Sequence, residues 1–122
     1  MAGSPPTEES APSRPTVLIM EDEAAIRKLL RATVESLPFP CDVIEAPDGK
    51  TALEFARHRR PTLALLDILL PGSSTSGVIV CSELCKDART KVVIVTGQKS
   101  ESINQACLAM GALDIVHKPF VV

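Results

Sequence analysis

The sequence predicts an α/β fold, a doubly wound sheet of five parallel strands. Past residue 15, short runs rich in Val, Ile and Leu alternate with segments of helical period, the pattern of strands joined by helical crossovers. The runs are apolar at consecutive positions rather than at alternate ones, as strands covered on both faces are. Length then allows one such domain: the chain has 122 residues, and globular domains cluster near about 100 to 150.

The elements follow in order. Residues 1–15, MAGSPPTEESAPSRP, hold four of the ten prolines and lack the apolar segment of a secretory signal, so they read as a disordered tail ahead of a domain at 16–122. Thr16 to Met20 is a short buried strand. Ile26, Leu29, Leu30, Thr33, Val34 and Leu37 fall on one helical face, and Pro38 and Pro40 stop the helix. Asp42 to Ala46 is the second strand. Pro47-Asp48-Gly49 is a turn in which Asp48 is placed to cap a helix running to about Arg59.

Pro61 restarts the chain, and Thr62 to Asp67 is a third strand, apolar until its last residue. PGSSTSG, from Pro71 to Gly77, reads as a loop. A helix from about Gly77 to Lys86 follows, built against the weak propensity of Val78, Ile79 and Val80. Lys91 to Thr96 is the fourth strand. Ile103, Ala106, Cys107 and Met110 form another helical face, closed by Gly111, and Leu113 to Val116 is the fifth strand before Lys118-Pro119-Phe120.

Composition excludes several functions. A net charge of −2 gives no basic footprint for nucleic acid. The one local basic run, Arg57 to Arg60, sits at a helix end, where cations favour the dipole and face solvent. No apolar run is long enough to cross a bilayer. Cys41, Cys81, Cys85 and Cys107 lack the pairing of a secreted disulfide framework, and Cys81 and Cys85, one turn apart, find no nearby motif to complete a tetrahedral metal set. The chain therefore reads as cytoplasmic, with reduced thiols. With three Phe, no Tyr and no Trp, its core is aliphatic.

Ligands of such a sheet bind outside the carboxyl ends of its strands. There the first strand ends in Glu21-Asp22-Glu23, the third in Asp67, the fourth in Thr96 and the fifth in Lys118. Converging carboxylates with one ammonium and one hydroxyl are costly without a cation, and hard oxygen ligands suit Mg2+. Opening a helix at its positive dipole end would account for Glu21 to Glu23. It accounts for neither Asp67 nor Lys118.

These residues resemble the response-regulator receiver domain of two-component signalling. The fragments VLIMEDEAAIRKLL, EAPDGKTALEFA, LALLDILLPG, VVIVTG and GALDIVHKPF carry the resemblance in order, with 22 positions from Thr96 to Lys118. It implies a flavodoxin-like strand order 2-1-3-4-5 and a signalling switch rather than an enzyme. It implies Asp67 as the phosphoacceptor, fed by a histidine kinase or phosphotransfer protein. Mg2+ would be held by Asp22, Glu21, Asp67 and the backbone carbonyl of Leu69, while Thr96 and Lys118 would meet the phosphoryl oxygens. The Lys118-Pro119 bond would be cis. A downstream partner or output domain follows from the same resemblance, a homodimer is left open, and no direct nucleic-acid or membrane contact is expected.

Departures from the family pattern shape further expectations. Ile115 stands where receivers carry an aromatic switch residue, PGSSTSG is long, and the span from Gly77 to Thr96 is short. The chain stops at Val122, so the final, fifth helix of the family is expected to be missing, leaving an apolar strip beside the first helix. These departures keep a phosphorylation-independent protein-binding adaptor as the alternative. A phosphatase would need an Asp at Leu69, and a flavin would lack an aromatic to stack on.

Overall fold

A computed structural model of the chain describes residues 14–68, 74–97 and 101–118. Its strands are β1 (Thr16–Met20), β2 (Asp42–Ala46), β3 (Leu63–Leu66), β4 (Lys91–Thr96) and β5 (Asp114–His117). The helices are α1 (Ala24–Glu35), α2 (Gly49–Arg59), α3 (Ser74–Cys85) and α4 (Glu101–Met110). All strand pairs are parallel and the sheet order is β2-β1-β3-β4-β5, as expected.

Alternation within each buried strand divides the core. Leu18 and Met20 of β1, with Ala64 and Leu66 of β3 and Val92 and Ile94 of β4, face α2, α3 and α4. Val17 and Ile19 face the other way, against Leu30 and Val34 of α1. On that α1 side Leu63, Leu65 and Val93 are half-buried, whereas Ala64, Leu66, Val92 and Ile94 are fully buried. Among the described residues, no helix is long and apolar enough to cross a membrane.

Local signals act as expected at two helix ends. Asp48 caps α2 by accepting from the Thr51 amide at 2.8 Å. Gly111 adopts φ 120°, a conformation open to glycine, just past the end of α4.

Four elements differ in their bounds, the first being the third strand, which spans Leu63–Leu66 rather than Thr62 to Asp67. The first helix stops at Glu35, so Leu37 lies beyond it and is 40% exposed, because Pro38 bars helical geometry from the residue before it. The fifth strand begins at Asp114 rather than Leu113, which is exposed although its amide still bonds to the Val92 carbonyl.

The fourth difference is the largest. The stretch expected as a loop to Gly77 is helical from Ser74, because tertiary packing of Gly77, Val80, Cys81 and Leu84 outweighs the loop propensity of Ser, Thr and Gly. Gly77 makes that packing possible. A Cβ there would lie 2.3 Å from the Ile68 Cα and 2.6 Å from its carbonyl oxygen, so only glycine lets α3 approach the chain just past β3.

The expected tail at 1–13, the loop residues Leu69 to Ser73, the Lys118-Pro119 bond and the chain end lie outside the described residues. Of the tail's last two residues, Arg14 pairs with Asp42 at 3.2 Å and Pro15 accepts from the Asp42 amide at 2.9 Å.

Candidate functional site

The carboxyl ends of β1, β3, β4 and the segment after β5 converge at one edge of the sheet. The ladders set this meeting: the Glu21 amide donates to the Ala46 carbonyl, the Asp67 amide to the Met20 carbonyl, and the Lys118 amide to the Thr96 carbonyl at 2.9 Å. Glu21, Asp67 and Thr96 are all buried, while Asp22 is exposed. The sequence-expected residues Glu21, Asp22, Asp67, Thr96 and Lys118 are thus brought together. Leu69 lies outside the described residues.

Oxygens of Glu21, Asp22 and Asp67 all lie within 4.8 Å of one another. Lys118 Nζ stands 2.7 Å from Glu21 Oε1 and 3.1 Å from Asp67 Oδ2. Glu21 also accepts from the Glu23 amide at 3.2 Å. Burial pushes the Glu21 carboxyl above its ordinary range, against the opposing pull of Lys118, and the charge of Asp67 adds to the rise. Burial alone would lower the Lys118 pKa, but its contacts with Glu21 and Asp67 outweigh that and raise it.

Three carboxylates against one ammonium leave an excess of negative charge in a mostly buried space. The donors are hard oxygens at close mutual range, so the residues fit Mg2+, which takes one or two carboxylates, waters and phosphate oxygens. Arranged in this way, the edge can present Asp67 as a nucleophile while a cation and an ammonium offset charge around it.

Sequence reasoning missed what holds this edge in place. Arg27, one turn into α1, donates from Nε to Glu45 Oε1 at 3.0 Å and from Nη1 to the backbone carbonyl of Glu21 at 2.8 Å, with a longer contact of 3.5 Å to the Asp22 carbonyl. Nothing in the linear pattern marks it, since a charged residue on an exposed helix face is ordinary. Cys107, expected as a reduced thiol on a helical face, is buried on α4. Its backbone carbonyl accepts from the Cys81 thiol at 4.0 Å, joining α4 to α3, where the Sγ atoms of Cys81 and Cys85 are also 4.0 Å apart. Burial pushes the Cys81 and Cys107 thiols up, the mark of inert core thiols.

The family model of the response regulator receiver domain matches residues 17–122. A probable transcriptional regulator, ycf27, of Porphyridium aerugineum is 34% identical over 104 residues, covering 85% of this chain and 42% of that protein. The transcriptional regulatory protein CseB of Streptomyces coelicolor is 39% identical over 105 residues, covering 85% and 43%. The chain thus spans about two-fifths of the length of these relatives.

Two solved structures share the fold. A CheY-like response regulator receiver domain protein of Methanospirillum hungatei superposes with a TM-score of 0.79 at 26% identity, over 89% of this chain and 85% of that one. The BeF3-activated receiver domain of RstA from Klebsiella pneumoniae gives 0.73 at 29% identity, over 87% of each.

Proposed function

The chain belongs to the response regulator receiver domain family of two-component signalling, and from that premise we propose that Asp67 accepts a phosphoryl group from a phosphohistidine donor. One observation carries the reading: Lys118 contacts both Glu21 and Asp67, with Asp22 in the same cluster.

The Asp67 carboxylate attacks the phosphorus in line. An O–P bond forms, the N–P bond of the donor breaks, and the imidazole leaves with the electron pair and takes up a proton. The product is an acyl phosphate on Asp67. Glu21, Asp22 and Asp67, with the Leu69 carbonyl that the family resemblance implies, would hold Mg2+, which when bound would neutralise charge on the transferring group. Lys118 exchanges part of its contact with Asp67 for a phosphoryl oxygen, and the Thr96 hydroxyl donates to another. Ile115 lies three positions before Lys118, half-buried against the core, so the resulting change passes there through an aliphatic side chain.

In this reading the donor is a histidine kinase or phosphotransfer protein of the cytoplasm, consistent with four free thiols. The output belongs to a downstream partner or a separate domain, as the naming of the relatives as transcriptional regulators supports.

Beryllofluoride with Mg2+ tests the reading. Amide NMR signals at Asp67, Thr96 and Lys118 are expected to shift on addition, to return with EDTA, and to stay unmoved in Asp67→Asn. An unresponsive wild-type chain would favour a phosphorylation-independent adaptor instead.

A further inference from the structure

We propose that Arg27 is a positioning residue for the acidic edge, setting its metal affinity without touching metal or phosphate; this rests on the phosphoacceptor reading of the site. Glu21 and Asp22 lie in the short connection between the end of β1 at Met20 and the start of α1 at Ala24. Their carboxylates face one another and Asp67, and the repulsion among them works to open that connection. Among the described residues, strand ladders hold it only at Glu21, through its amide bond to the Ala46 carbonyl.

Arg27 acts on the outer side of the same connection. Its guanidinium donates to the Glu21 carbonyl at 2.8 Å and reaches the Asp22 carbonyl at 3.5 Å, while Nε is fixed by Glu45 of β2 at 3.0 Å. Glu45 is itself held by Arg31 one turn further along α1. A planar fork with several donors can serve a carboxylate and a carbonyl together, which a single ammonium cannot do with the same geometry. Because both carbonyls belong to residues whose side chains form the acidic cluster, the fork fixes where those carboxylates start from. The Arg27 charge is largely offset by Glu45, so its influence on the cluster runs mainly through backbone position.

A plain structural tie between α1 and β2 would give the same contacts to Glu45, and Arg31 supplies the control. Arg31 shares Glu45 but makes no described contact with the β1–α1 connection. The experiment titrates Mn2+ as the metal probe, reading free Mn2+ by electron paramagnetic resonance, against wild type, Arg27→Gln, Arg27→Lys and Arg31→Gln. Thermal unfolding of each metal-free variant is recorded alongside. Arg27→Gln is expected to weaken Mn2+ binding by about tenfold, the range seen when outer supports of metal ligands are removed. Arg27→Lys should fall between that variant and wild type, and Arg31→Gln should bind like wild type even where its unfolding temperature drops.

Equal Mn2+ affinity in wild type and both Arg27 variants overturns the proposal and leaves the phosphoacceptor reading intact. So does a loss that Arg31→Gln shares in proportion to its loss of stability. A wild type that takes up no Mn2+ overturns both together.

Discussion

Lys118 stands between two buried carboxylates, and its own side chain is 20% exposed against 1% for Glu21. Removing it strands charge in the interior, which is costlier than never placing it there. Lys118→Ala is therefore expected to lower the stability of the metal-free chain by roughly 2 kcal/mol at neutral pH, less than for a fully buried pair because Glu21 can take up a proton. The same change removes the cation that competes for the acidic edge, so Mg2+ binding should tighten. Chemical denaturation in EDTA and in Mg2+ checks both: the stability deficit should shrink when Mg2+ is added, and an equal deficit in both buffers would contradict the account. The sequence exposes these residues clearly because each is a polar interruption at the end of an apolar strand. It is silent on Arg27, whose partners are backbone carbonyls and a strand residue that only the fold brings near.

Helices α1 and α3 are each fixed by a contact that local propensity does not supply. Glu45 of β2 is held by Arg31 and Arg27 of α1, and these contacts, against the opposing effect of partial burial, keep its carboxyl below the ordinary value of 4.5. A lowered carboxylate pKa favours the folded state in its ionised form. The contribution is therefore complete above about pH 4.5 and is lost as pH falls through the lower native value. Glu45→Gln is expected to remove on the order of 1 kcal/mol at neutral pH and to flatten that acid-side decline in denaturation curves. An unchanged slope would show the pair to be energetically idle.

On α3 the decisive residue is Gly77, whose hydrogen faces the Ile68 backbone. Gly77→Ala is expected to cost about 2 kcal/mol or more, since neither Ile68 nor the helix backbone can give way without repacking. Gly97, with nothing within 4 Å of an added Cβ, should tolerate alanine with little change in the same denaturation assay. The helical start at Ser74 was hidden in the sequence for the same reason. A run of Ser, Thr and Gly reads as a loop until the close approach that glycine permits is known.

Across the whole molecule, fold class was legible because the buried strands are short, apolar on consecutive positions and separated by helical periods. Strand order came from the resemblance rather than from periodicity, since period alone does not say which strands are neighbours. On the α1 side of the sheet, Leu63, Leu65 and Val93 are half-buried among the described residues. The architecture places Glu21, Asp22, Asp67, Thr96 and Lys118 at the carboxyl edge, so the central claim is a chemical one about Asp67. It is tested most directly by incubating the chain with acetyl phosphate and Mg2+ and measuring intact mass. The account predicts the gain of one phosphoryl group, abolished by EDTA and absent in Asp67→Asn; no gain in wild type, or an equal gain in Asp67→Asn, would contradict it.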